Sequence, residues 1–208
     1  LNFGIKLFSD KDLKQTFADI NANRIRHVIS MSVWKEKREE TAAFARKLSL
    51  ELVFIYEHPH DGFPCVTIDN TEAASQAVRY LASLGHRRIA LACVPHLFHY
   101  IEERHEGYLR GMRESGLTPD PDLIFCSEET ELHVRRLLAL PPRKRPTALF
   151  AIGDNLALLA EKTAIQAGLH LPEDLSIFGF GNDPAGKYAL SALSTIEESF
   201  EQRGEIAV

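Results

Sequence analysis

Apolar residues along this chain form short runs that alternate with segments of helical periodicity. The first half contains three such runs, which predict strands at 2–8, 26–31 and 50–56. Between them, Leu13, Phe17 and Ile20 recur at helical spacing after a predicted helix start at Ser9 and Asp10, and 36–48 is a charged amphipathic segment. The order predicted for this half is therefore β-α-β-α-β.

The same alternation starts again after a loop that contains proline and glycine. Strands are predicted at 65–68, 88–94, 123–126, 147–152 and 175–180. Helices are predicted from a cap at Asn70 or Thr71 to Leu84, from about 100 to 115, across 133–140, and from a cap at Asp154 to Gly168. Alternation of this kind is typical of parallel sheets covered on both faces by helices, which predicts the α/β class with two Rossmann-like lobes.

Ligands of open α/β sheets bind beyond the carboxyl ends of the strands. The loops predicted at those ends are 56–60, 95–100, 153–154 and 181–183. We therefore expect the site residues to come from these loops.

Five segments of the chain resemble the effector-binding domain of LacI/GalR-family transcription regulators. They are Val66–Asn70 with Leu84–Ala90, Arg104-His105-Glu106-Gly107-Tyr108, Pro146–Ala151 with Asp154, Leu171–Ser176 with Gly179-Phe180, and Leu193–Ile196 with Gly204. Their order and spacing are similar to those of the family over nearly the whole chain, and residues 1–64 match more weakly.

The resemblance implies a type I periplasmic-binding-protein-like fold with lobes at 1–69 plus 197–208 and at 70–196. It also implies that a small-molecule effector closes a cleft between hinged lobes and so controls DNA binding. Such proteins typically act as homodimers and bind operator DNA through a helix-turn-helix headpiece that this sequence lacks. The resemblance also implies that elements of the family are missing before Leu1 and after Val208, and the absence of an initial methionine suggests a fragment of a larger protein.

Arg104 is the first candidate for contacting the effector. It interrupts the apolar helical face of Ile101, Tyr108 and Met112, and it matches the family's effector-contacting arginine. A guanidinium presents a planar set of donors that can bind vicinal hydroxyls or a carboxylate. The alternative is an arginine that extends to solvent.

The other candidate ligand-binding residues are placed by their match to the family, and they are Tyr100, Phe98, Asn182, Phe200 and Tyr56. Ordinary packing is the alternative for the aromatic ones. Asp154 is interpreted as a helix cap. Gly153 and Gly181 stand where the family often has ligand-contacting Asn and Asp, which makes a sugar phosphate, a nucleoside or no effector more plausible than a standard hexose.

Charge and cysteine content narrow the setting of this domain. The net charge is −5 without a basic stripe, so the chain by itself is expected to bind DNA poorly. Cys65, Cys93 and Cys126 lie far apart and predict free buried thiols in the cytoplasm. No apolar run reaches the roughly 18 residues of a membrane span, and no secretion signal is present.

Metal, cofactor and catalytic sites are not predicted. Metal ligands could come from His58, His60, His96, His99 and His105, but no cysteine or clustered carboxylate completes a recognisable ligand set in the sequence. Nucleophile elbows, phosphate loops and paired acid/base sets are also missing from the sequence, so an enzyme is not expected. The alternative to a regulator is a periplasmic sugar-binding protein on the same fold.

Overall fold

The computed structural model of the protein describes residues 12–31, 33–56, 62–95, 98–189 and 192–207. Its strands are β1 (His27–Met31), β2 (Glu51–Ile55), β3 (Cys65–Val66), β4 (Ile89–Cys93), β5 (Ile124–Cys126), β6 (Ala148–Ala151), β7 (Ser176–Gly181) and β8 (Ser194–Glu197). Its α-helices are α1 (Leu13–Ala22), α2 (Arg38–Lys47), α3 (Asn70–Ser83), α4 (His99–Glu114), α5 (Thr130–Leu138), α6 (Asp154–Gln166) and α7 (Phe200–Ala207).

The strands form two sheets, and every described strand pair is parallel. The order is β1-β2-β3 in one sheet and β5-β4-β6-β7-β8 in the other. The prediction of parallel α/β sheets is therefore confirmed. The strand predicted at 2–8 and the helix start at Ser9 and Asp10 lie outside the described residues.

The chain divides into two compact units. The first contains 1–67, 97–99 and 200–208, and the second contains 68–96 and 100–199. In the first unit, Phe17, Ile20, Leu52 and Phe54 are buried in a core between the sheet and helices α1 and α2. The lobe bounds expected from the resemblance stay a prediction.

Strand β4 is the centre of the second unit's core. All five of its residues, Ile89–Cys93, are buried, as are the four of β6. A continuous apolar strand of this kind requires helices on both faces of the sheet, since each face must be covered. Among the described residues, no helix is long and apolar enough to cross a membrane.

Three local predictions are wrong. Helix α3 is capped by Asp69, whose side chain accepts from the backbone N–H of Glu72 at 2.8 Å, not by Asn70 or Thr71. Helix α6 has Gly153 at its N-cap, without a side-chain cap, and Asp154 is its first helical residue. Strand β8 and helix α7 follow the strand that was predicted to be last.

The prediction of free thiols is also wrong for two cysteines. Cys93 and Cys126 are joined by a disulfide, and their Cα atoms are 4.3 Å apart. They are register partners at the ends of β4 and β5. Thirty-three residues separate them in sequence, so only the pairing of the strands reveals that they are neighbours.

Candidate functional site

Arg104 lies at the carboxyl ends of the central strands of the five-stranded sheet. The chain leaves β4 toward β5 on one side and later returns to β6 on the other, so a crevice is expected between β4 and β6. Nη1 of Arg104 donates to the carbonyl oxygen of Ile152, the residue after β6, at 2.8 Å. The guanidinium therefore lies at the position where α/β folds bind ligands.

Two more side chains fix the orientation of this guanidinium. Nε of Arg104 donates to Oδ1 of Asn70 at 2.9 Å, and Nη2 donates to a carboxylate oxygen of Glu198. Arg104 is 4% exposed and Glu198 is 3% exposed. The alternative, an Arg104 side chain that extends to solvent, is therefore wrong, because the guanidinium is buried and its charge is compensated inside the unit.

Aromatic rings lie beside the same guanidinium. Its central carbon is 3.6 Å from the centre of the Phe180 ring and 4.9 Å from that of Tyr100. Phe180 is a residue of β7 and Tyr100 lies in the first turn of α4. A cation next to an aromatic ring is attracted by the negative potential of the ring face, and this attraction strengthens with burial.

Close contact of α4 with α3 keeps Arg104 over the sheet. A Cβ at Gly107 would lie 2.4 Å from the carbonyl oxygen of Thr71, so only glycine fits where the two helices touch. Tyr108 donates its hydroxyl to the carbonyl oxygen of Ile89 at 2.8 Å. Burial and the charge of Asp120 raise the pKa of Tyr108, which keeps this phenol neutral.

Asp154 organises the loop after β7. Its Oδ2 accepts from the backbone N–H of Asp183 at 2.7 Å, and its Oδ1 accepts from the hydroxyl of Thr195 at 2.6 Å. A Cβ at Gly179 would lie 2.1 Å from that Oδ1, so the carboxylate needs a glycine beside it. The helix-cap role predicted for Asp154 is wrong, because its side chain joins the loop after β7 to β8 instead of capping α6.

Exposed polar groups surround this arrangement. Asn182 has a positive φ of 52°, is exposed, and donates its amide to the carboxylate of Glu197. Nδ2 of Asn70 donates to Oε2 of Glu103 at 2.9 Å. Of the predicted residues, the second unit thus brings Arg104 and Tyr100 into contact, while Asn182 contacts Glu197, the residue before Glu198. The sequence did not predict Asn70, Glu198 or Phe180 as site residues.

The remaining predicted residues belong to the first unit. The rings of Tyr56 and Phe200 have centres 6.3 Å apart, and the guanidinium carbon of Arg203 is 4.2 Å from the centre of Tyr56 and 5.0 Å from that of Phe200. Phe200 is 48% exposed, which argues against its role as ordinary core. Phe98 is partly buried just before α4. The sequence missed Arg203, which is 4% exposed.

One group of potential metal ligands was also missed. A ring nitrogen of His105 and the sulfur atoms of Cys93 and Cys126 lie within 4.8 Å of one another. The sequence places these residues too far apart to suggest a ligand set. His58, His60 and His96 lie outside the described residues.

This edge of the parallel sheet carries a fixed guanidinium, aromatic rings, and exposed amide and carboxylate groups. Such an arrangement defines a small-molecule-binding domain of the Rossmann-like class. Residues 78–208 match the family described as "periplasmic binding protein-like domain". Because this match spans more than half of the chain, the chain belongs to that family.

The relatives are transcription regulators. The chain is 36% identical over 154 residues to the HTH-type transcriptional repressor CytR of Escherichia coli K12. The matched region covers 72% of this chain and 45% of the repressor. The chain thus spans about half the length of the curated relatives it matches. The identification of a LacI/GalR-type effector-binding domain is confirmed, and the relatives favour a regulator over a transport protein.

Solved structures agree with this assignment. A regulatory protein of the LacI family from Chloroflexus aggregans superposes with a TM-score of 0.86 at 28% identity, covering 96% of this chain and 73% of that one. A LacI-family regulator from Lactobacillus casei with bound glucose has a TM-score of 0.82 at 22% identity, covering 93% of this chain and 74% of that one. The second likeness shows the fold alone.

Proposed function

We propose that this chain senses a small, uncharged, hydroxyl-rich molecule for a LacI-type regulator and does not convert it chemically. The regulator is cytoplasmic and homodimeric, and a separate headpiece contacts operator DNA. The observation that carries the proposal is the buried guanidinium of Arg104, held by Ile152, Asn70 and Glu198 at the carboxyl ends of the central strands.

The charges near Arg104 favour an uncharged ligand. Glu198 accepts from Arg104, Glu103 accepts from Asn70, and Glu197 accepts from Asn182. The charges of Arg104 and Glu198 compensate each other, so the carboxylates of Glu103 and Glu197, which are not buried, would repel a phosphate. Of the candidate effectors, a neutral sugar or a nucleoside is therefore favoured over a sugar phosphate.

Hydroxyl groups suit this surface because they donate and accept hydrogen bonds. The exposed carboxylate of Glu197 can accept hydrogen bonds from ligand hydroxyls, and the exposed amide of Asn182 can donate to them. The ring of Tyr100 offers an apolar surface against which one face of a sugar or base can pack. A ligand shifts the state of a regulator only if it binds one conformation better than another. Contributions of Phe98, Tyr56 and Phe200 to the same effector remain a prediction.

A thermal-shift screen tests the proposal. Neutral monosaccharides, nucleosides and the phosphate esters of both are added to the wild type, to Arg104→Met and to Arg88→Met. Arg88 is the matched control, since it is a hydrogen-bonded arginine of the same unit that donates to the carbonyl oxygen of Lys144 at 2.9 Å and to Asp120 at 3.1 Å. It directly precedes β4, so it lies at the amino end of the sheet.

We expect a neutral ligand to raise the melting temperature of the wild type and of Arg88→Met, and to lose this effect in Arg104→Met. Its phosphate ester should give a smaller shift. An equal shift in Arg104→Met would remove Arg104 from the site, and a screen without any stabilising compound would contradict effector sensing. Recovery of a chemically altered ligand would contradict the absence of catalysis.

A further inference from the structure

Two cysteines lie side by side at the carboxyl edge of the five-stranded sheet. Cys93 ends β4, Cys126 ends β5, and the two are register partners, so their side chains share one face of the sheet. The ladder continues beyond them, because the backbone N–H of Ser127 donates to the carbonyl oxygen of Cys93 at 2.9 Å. The backbone therefore keeps the two cysteines next to each other whether or not their sulfur atoms are bonded.

Helix α4 supplies a third soft ligand on the same face. A ring nitrogen of His105 lies within 4.8 Å of both sulfur atoms. Within the part of the chain that the structure describes, no other group of three or more histidine, cysteine or acidic side chains converges this closely. Cys93 is fully buried, while His105 and Cys126 are partly exposed. Cys126 also lines a surface depression with Ser127 and His133, so one of the three ligands borders solvent.

Two thiolates and one imidazole match the preference of Zn²⁺ for sulfur and nitrogen ligands in a tetrahedron. With Zn–S bonds of about 2.3 Å, the two sulfur atoms of such a site are about 3.8 Å apart. Bonded sulfur atoms are closer than this and carry no negative charge, so the disulfide must be reduced before the metal binds.

We propose that Cys93, Cys126 and His105 form a Zn²⁺ site once the disulfide is reduced, with the fourth position open to water or another small ligand. Reduction by a phosphine consumes one phosphine and one water and yields two thiols and one phosphine oxide. Binding of Zn²⁺ then releases two protons from the thiols. The metal would tie α4, which carries Arg104, to β4 and β5. The proposal does not depend on the effector.

Cobalt binding provides the test, because thiolate ligands to Co²⁺ give an intense charge-transfer band. The full chain is reduced with a phosphine, freed of the reductant without oxygen, and titrated with Co²⁺ and then with Zn²⁺. We expect one Co²⁺ per chain with thiolate absorption, which Zn²⁺ displaces. The same chain with its disulfide intact serves as a folded control and should give no band.

Variants assign the ligands. Cys93→Ser, Cys126→Ser and His105→Gln each remove a ligand, so each should weaken binding by more than the roughly tenfold to hundredfold that loss of an outer-shell partner costs. Cys65→Ser, in the first unit, and His170→Gln, whose side chain is 86% exposed, are the matched controls and should bind as the wild type does. Absence of a band in the reduced wild type would overturn the proposal and leave the pair as a disulfide only. A band that survives in Cys93→Ser, or is lost in Cys65→Ser, would overturn it as well.

Discussion

The ion pair between Arg104 and Glu198 allows the sharpest test of the structure. The perturbations are Glu198→Ala, Arg104→Met and the double variant. Glu198→Ala leaves a buried guanidinium with Asn70 and Ile152 as hydrogen-bond acceptors but without its compensating carboxylate. Arg104→Met leaves the carboxylate of Glu198 buried without its guanidinium partner.

Burial decides the size of the effect. The side chains of Arg104 and Glu198 are 5% and 3% exposed, so neither charge regains water when its partner is removed. Breaking a buried pair of this kind costs about 3 to 5 kcal/mol. The Arg113–Glu106 pair on the same helix, α4, has side chains that are 58% and 57% exposed. Its loss in Glu106→Ala should cost about 1 kcal/mol or less, and this variant is the control.

Urea unfolding followed by circular dichroism measures these changes. We expect each single variant to lower the free energy of unfolding by about 3 to 5 kcal/mol. In the double variant, the loss in free energy of unfolding should be smaller than the sum of the two single losses by at least about 2 kcal/mol. The reason is that the second substitution removes a charge that the first had left without a partner. Losses that add to within about 0.5 kcal/mol would refute the pairing of these two residues.

Two further predictions concern stability. In urea unfolding, Gly179→Ala should lower the free energy of unfolding by about 1 to 3 kcal/mol, because the added Cβ would lie 2.1 Å from a carboxylate oxygen of Asp154. Gly204 has open space around it, so Gly204→Ala is the control and should be neutral or stabilising. Equal effects of the two substitutions would contradict the packing around Gly179. Hydrogen bonds from Arg110 and then Arg79 lower the pKa of Glu114 to about 2. Because this carboxyl has a lower pKa in the folded than in the unfolded chain, its ionised form stabilises the fold fully above about pH 4.3. This stabilisation is lost as the pH falls through about 2. The melting temperature of Glu114→Gln should therefore be below that of the wild type at pH 7, with a difference that shrinks toward pH 2; a constant difference would contradict the ion pairs.

The sequence by itself determined the fold class and the burial of one candidate site residue. Runs of apolar residues and helical periodicity are local patterns, so they predict strands, helices and their alternation, and alternation implies parallel sheets. The same periodicity places Arg104 on the buried face of α4, beside Ile101 and Tyr108. These conclusions need no knowledge of which strands are neighbours.

Only the tertiary structure decided what the site residues contact. Glu198 reaches Arg104 across 94 residues, and Thr195 reaches Asp154 across 41. Cys126 meets Cys93 because β5 pairs with β4, although the sequence predicts only that both are strands. The physical reason is that strand order depends on how the helices and strands pack over the whole sheet, and a local pattern of residue types does not specify it.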